Sequence, residues 1–291
     1  MKTFISIFVF TLFILTFIDC HSQNEKQEIN DFPVLKGPYL GQKPPEKIAV
    51  KFAPDVINYE PHESPVFFDN GVGILIGTMM EGTKYYQKVN QGWTLTNNIP
   101  ISLPKNCQGL SVSPSGERIY FLIWENDDEN FYFIEKKDNG WTSPKTLGND
   151  VNAFKTHWQF SIAKNENLYF SSDGMRVSVF DGNKHLKPVP LMLEDNKYLR
   201  GGTPYVAPDE NYIIYSLDND LHISYNLNNG KWTMPQSLGS DINISDNYDL
   251  CPKISPDGKY LFFISRRNSP DFAIYWVDAG FIEEFRPKEL K

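Results

Sequence analysis

The sequence is short of cysteine, and it lacks the spacings by which cysteine and histidine hold metal. Of its 291 residues, three are Cys and five are His. No Cys-x-x-Cys and no His-Glu-x-x-His occurs, and no His stands at ligand spacing from another. A Gly-rich phosphate loop and a Gly-x-Ser-x-Gly elbow are also missing, which removes the usual signs of nucleotide and serine-nucleophile chemistry. No cofactor is expected. Basic charge is scarce: 28 Lys and Arg face 36 Asp and Glu, for a net charge of −8, so nucleic acid is not an expected partner. The acidic stretches Asp127-Asp-Glu129 and Asp218-Asn-Asp220 lack the Gly-bent, oxygen-rich loop of a calcium site and read as solvated hairpin tips. The one long apolar run, Phe4 to Ile18, is too short to span a membrane.

What is present is aromatic residues and repetition. Aromatics make up 14% of the chain, with 21 Phe and 15 Tyr, enough to fill a core of stacked sheets. The stretch Lys253-Ile-Ser-Pro-Asp-Gly-Lys-Tyr-Leu-Phe-Phe-Ile264 reads as strand, tight turn, strand. Copies follow at Val112–Phe121, Ser161–Phe170 and Val206–Tyr215, with a divergent one at Phe67–Ile76. The turn column falls at Asp69, Pro114, Ala163, Pro208 and Pro256, in steps of 45, 49, 45 and 48 residues. That is the period of a four-stranded propeller blade. Gly92-Trp93, Gly140-Trp141 and Lys231-Trp232 form a second column. Pro144-Lys-Thr-Leu-Gly148 and Pro235-Gln-Ser-Leu-Gly239 repeat as an outer strand. The fold expected is all-β: a propeller of five four-stranded blades, with six as the alternative. Lys47–Pro54 precedes the first full copy and the last copy is short, so the N-terminal strand is expected to complete the last blade and remove free sheet edges.

Ser113-Pro-Ser-Gly116 and Ser255-Pro-Asp-Gly258, with the variant Ala207-Pro-Asp-Glu210, resemble the turns of the TolB-type β-propeller repeat family of bacterial envelope proteins. Tyr39-Leu-Gly-Gln-Lys-Pro-Pro45, Ile274-Tyr-Trp-Val-Asp278 and Phe285-Arg-Pro287 are similar to the ends of such lipoproteins from Bacteroidetes-like bacteria. The resemblance implies a propeller that makes protein–protein contacts through one face. Propellers carry many unrelated functions, so the likeness speaks to fold first.

Residues 1–19 read as a signal peptide, with Lys2 before the apolar run. Two processing routes stay open: cleavage near Ser22, or a lipoprotein route in which Cys20 is lipidated, although Asp19 departs from the small residue usual there. Residues 20–45 read as a polar tether followed by a Pro-rich segment lying extended on the surface. Residues 46–291 form the propeller. Cys107 and Cys251 fall on non-adjacent blades and are expected as free thiols.

In a propeller the residues just before each innermost strand meet at the mouth of the central channel. Six places before the turn column stand Glu63, Gln108, His157, Gly202 and Leu250, with His62, Thr156, Trp158, Arg200 and Asp249 beside them. Glu63, His157 and Asp249 are candidates to orient a ligand, Trp158 is a candidate platform, and His62, Gln108 and Arg200 complete the rim. The same residues read equally well as plugs that close the channel. The function expected is a non-catalytic envelope binding or scaffold protein, exported to the periplasm or cell surface. Its partner would be an envelope protein or glycan, and a lipid anchor would hold it to the membrane. The alternative is a five-bladed glycoside hydrolase using Glu63 and Asp249 as its carboxylate pair.

Overall fold

The computed structural model describes residues 35–68, 71–104, 106–125, 128–138, 140–155, 159–244 and 248–291. The leader, Cys20, the start of the tether, Asp69, Thr156, His157 and Trp158 lie outside the described residues.

The described strands form five antiparallel blades and one short parallel pair, Met192–Leu193 with Lys231–Trp232. Blade one runs Val66–Phe68, Gly73–Gly77, Thr83–Val89 and Gly92–Thr96, with Leu35–Lys36 added at its outer edge. Blade two holds Cys107–Val112, Arg118–Glu125 and Asp128–Lys137, the last paired by both Gly140–Trp141 and Lys145–Thr146. Blade three is Phe160–Ile162, Leu168–Ser171, Met175–Ser178 and Val189–Pro190. Blade four is Gly202–Val206, Tyr212–Leu217, Asp220–Tyr225 and Gln236–Ser237. Blade five takes Leu250–Ile254, Tyr260–Ser265 and Ala273–Asp278 from the C-terminal end, and its outer strand, Val50–Lys51, from the N-terminal end. The wheel is therefore closed by an N-terminal strand, as the incomplete last copy predicts.

The second strand of each blade is an apolar run because neighbouring blades cover both of its faces. Ile74–Ile76, Ile119–Leu122, Ile213–Tyr215 and Leu261–Phe263 are all fully buried. The core accordingly divides into five clusters, one in each gap between blades. The seam between blades five and one packs Trp276, Phe262, Phe52, Ile74 and Tyr86 together. The Pro-rich segment enters this seam rather than lying over it. A single 3-10 turn at Tyr39–Gly41 buries Leu40 and sets the Tyr39 ring against Phe67, Tyr260 and Trp276.

The repeated turns share one geometry. The amide of Gly116 bonds to the Ser113 carbonyl and that of Gly258 to the Ser255 carbonyl, each Gly at a φ near 74°, a left-handed conformation that glycine adopts without steric cost. Glu210 (φ 60°) and Glu166 (φ 66°) fill the same place in blades four and three. In blade three Glu166 bonds to Ala163, so Ala163 matches Ser113 and Lys164 holds the turn column. The sequence alignment is one residue out there because that turn closes onto Asn167, a residue sooner than the others.

Candidate functional site: the channel axis and the cleft beside it

The innermost strands of blades two, four and five are each interrupted by a bulge at the same point of the repeat, between Gln108 and Ser111, Gly202 and Tyr205, and Leu250 and Lys253. Each bulge carries a left-handed residue: Gly109 (φ 62°), Thr203 (φ 46°) and Cys251 (φ 60°). Glycine does this freely, but a β-branched Thr does not, at a cost of order 1–3 kcal/mol. Links across the axis hold the strained residues. The Cys251 amide donates to Thr203 Oγ1, and Ser64 Oγ donates to the Cys251 carbonyl, which joins blades four, five and one in a chain.

Glu63 fills the centre. It is 1% exposed, and its carboxylate reaches three other blades. Oε1 accepts from the Leu110 amide at 3.2 Å; Oε2 accepts from Lys253 Nζ at 3.0 Å and from Gln159 Nε2 at 3.2 Å. Lys253 also donates to the Leu110 carbonyl at 2.9 Å. Gly77 makes room for this plug, since a Cβ there would lie 3.2 Å from Glu63 Oε1. Asp249 is likewise interior, at 0% exposure. It accepts from Arg267 Nη2 at 2.8 Å and from the Ile244 amide at 3.0 Å. The Arg267 guanidinium lies over the rings of Phe263 and Tyr275 and donates to the Ile242 carbonyl. Both carboxylates named from the sequence are thus committed to buried ion pairs. Their partners are Lys253, in the strand Leu250–Ile254, and Arg267, in the turn after Tyr260–Ser265, and nothing in the local sequence marks either.

The plug separates two spaces. At the turn end of the axis lies a cavity of about 350 Å3, walled by Pro65, Phe67, Phe160, Pro204, Tyr205 and Pro252, with Lys253 at its closed end. At the opposite end a cleft of about 1,100 Å3 opens between blades one and two. His62 and Gln108, both half-buried, line it together with the outer side of Glu63. So do three residues the sequence reading passed over: Met79, Met80 and Trp124. Met80 is 92% and Trp124 52% exposed. Trp124 ends an unbroken apolar run, and Met79 and Met80 follow the apolar strand Gly73–Gly77 in a bend, so the sequence gave no reason to place these side chains outside. Arg200 lies apart, in a depression of about 540 Å3 with Tyr198 and Met234. Cys107 borders the cleft as a free thiol. Burial, with the Glu63 carboxylate adding to it, pushes that thiol up to about 12, which keeps it protonated and poorly nucleophilic. No cluster of three or more His, Cys, Asp or Glu able to hold a metal ion occurs among the described residues.

No protein-family model matches the sequence, and no curated protein matches it. Solved structures that resemble it include TolB from Acinetobacter baumannii (14% identity, TM-score 0.48, covering 74% of this chain and 56% of that one). Another is the putative TolB from Agrobacterium tumefaciens (15%, TM-score 0.47, 74% and 76%). A third is XC5397, a gluconolactonase from Xanthomonas campestris (12%, TM-score 0.36, 54% and 55%). The chain spans little more than half the length of the Acinetobacter protein. The five-bladed architecture rests on the strand pairing itself.

Proposed function

We propose that this protein is a non-catalytic binding module of the bacterial cell envelope that receives its partner at the open cleft between blades one and two. The observation that carries the reading is the cleft itself, a wide opening beside a channel closed by Glu63 and Lys253, with a large aromatic and two thioethers presented to solvent at its rim. Well-exposed Trp and Met are typical of surfaces built to be covered. Residues 1–19 would export the chain and a lipid on Cys20 would hold it to the membrane. The hydrolase alternative requires Glu63 and Asp249 free to reach one glycosidic bond, and both are spent on internal ion pairs.

The test is made in the native host. The full chain should fractionate with membranes, Cys20→Ala should move it to the soluble fraction, and immobilised protein should retain an envelope component that Trp124→Ala loses. Retention that survives Trp124→Ala, or an intact protein that stays in the cytosol, would overturn the proposal. Release of reducing sugar dependent on Glu63 would reinstate the hydrolase.

A further inference from the structure

The chemistry of the cleft is selective. Among its described lining residues the one carboxylate is Glu63, already paired with Lys253, and no Lys or Arg is present. The chain as a whole is 22% charged, so the described part of this wall is poor in charge. Its polar groups include the amides of Asn97, Asn98 and Gln108, the Ser102 hydroxyl and the His62 ring. Amides and hydroxyls both donate and accept hydrogen bonds. Against these described groups a ligand bearing phosphate, carboxylate or ammonium would give up hydration without gaining a counter-charge. A ligand rich in hydroxyls, which also donate and accept, would exchange water for matched partners.

Trp124 supplies the apolar half. It stands near the end of the strand Arg118–Glu125, and its carbonyl is tied by Asn106 Nδ2 at 3.3 Å. The indole is held on a fixed strand rather than on a loose loop. A sugar ring has one face of C–H groups and a rim of hydroxyls, the complement of an indole plane bordered by amides. Met79 and Met80 can adapt to an irregular apolar face across the opening. An extended peptide is less well served. The strands Thr83–Val89 and Arg118–Glu125 are paired on both sides, so they offer the cleft their ends and no free edge for backbone pairing.

We infer that the cleft between blades one and two is a binding site for a neutral oligosaccharide, with Trp124 as the stacking platform and the Asn97, Asn98, Gln108 and His62 side chains reading hydroxyls. The inference rests on the binding-module reading above and names its ligand class.

The full chain, purified in mild detergent, is titrated with five neutral hexasaccharides: cello-, malto-, manno-, xylo- and chitohexaose. Tryptophan fluorescence and calorimetry provide the readouts. At least one sugar should bind. Trp124→Ala should weaken that binding about tenfold or more, and Trp124→Phe should restore most of it. Trp124 is half exposed, so all three proteins should melt alike. Sugar binding indifferent to Trp124→Ala overturns the site. No binding of any sugar at about 10 mM, with an envelope protein retained in a Trp124-dependent way, overturns the ligand class and leaves the binding reading standing. If neither sugar nor envelope component is bound, both readings fall.

Discussion

Two kinds of crossover carry the chain from one blade to the next, and they differ in what ties them down. Between blades two and three, the Leu147 amide bonds to the Phe131 carbonyl, and Asn152 returns its Oδ1 to the Phe131 amide. Between blades four and five, Leu238 and Asn243 do the same to Leu221. Each Asn also donates Nδ2 to the outer strand, to Thr146 Oγ1 in one case and Ser237 Oγ in the other. From blade three to four the backbone plays both parts, Leu191 donating to Met175 and Met175 to Leu199. Blade one differs. Its outer strand, Gly92–Thr96, pairs along its full length with Tyr85–Val89 as one hairpin, so the crossover after it is not needed to hold that strand. The cleft lies at this junction, where no Asn clamp of that kind is made among the described residues. Where a fourth strand has only two residues, the crossover must fasten it; where the strand is self-sufficient, the crossover is left for other work.

The largest expected effect breaks the clamped side. Arg267 reaches the same crossover, bonding both Ile242 and Asp249 from within the core. Arg267→Met leaves the Asp249 carboxylate buried without its cation. That should cost about 3–5 kcal/mol in chemical denaturation. Arg267→Met with Asp249→Leu should recover most of the loss, because apolar groups then fill the space of the pair. A loss below about 1 kcal/mol for the single change would mean that this crossover is not under load.

A second test compares the junctions by acid. His185, 5% exposed, packs edge-on against Tyr120 of blade two and against Phe180. Burial lowers its pKa to about 4, with the Arg118 charge adding to the effect and the Ser178 carbonyl and Asp181 opposing it. The folded protein therefore binds fewer protons than the unfolded chain between the free value near 6.5 and 4. Stability is full above that window and falls as pH drops through it, by about 3 kcal/mol in all. His185→Phe should flatten the slope between pH 6.5 and 4.5, above the range where carboxylates dominate. An unchanged slope would place the acid sensitivity elsewhere.

The paired Asn residues offer a graded comparison. Asn243 is buried, and it is the partner of the Leu221 amide; Asn243→Ala should cost about 2 kcal/mol by leaving that N–H unsatisfied. Asn152 is half-buried, so water can replace it, and Asn152→Ala should cost about 1 kcal/mol. Equal losses would mean that burial does not set the strength of the clamp.

Much of the wheel could be read from the chain. The Pro-Asp-Gly turns gave the period, and a strand at Lys47 to Pro54 with no blade of its own gave the closure, because both are local patterns tied to backbone geometry. The Asn clamp was also in view, as Leu147-Gly-Asn-Asp-Val-Asn152 beside Leu238-Gly-Ser-Asp-Ile-Asn243, but the repeat was followed only to the Gly. The plug was legible only in part: Glu63 was named as a residue that could close the channel, but its partner was not. Glu63 and Lys253 are 190 residues apart, and only the closed ring brings their side chains to one axis. Thr203 and Cys251 hid the bulges, since neither residue type signals a left-handed backbone. Trp124 sits in an apolar run that reads as buried, yet it opens onto the cleft.

The smallest expected effect is the sharpest test of the contrast. Two glycines inserted after Asn98 lengthen the unclamped crossover upstream of its buried anchor, Ile101. The described hydrogen bonds at the insertion point are local, from the Asn98 amide to Thr96 Oγ1 and from the Ile99 amide to the Asn97 carbonyl. Lengthening such a loop costs little entropy, so stability should change by less than about 0.5 kcal/mol. The same two glycines after Asp241 would separate Leu238 and Gly239 from Asn243, pull the clamp off Leu221, and cost at least as much as Asn243→Ala. Measured side by side in urea, the two insertions should differ several-fold. Equal costs would show that the crossover bordering the cleft is as constrained as the others, and the free wall on which ligand recognition depends would be lost.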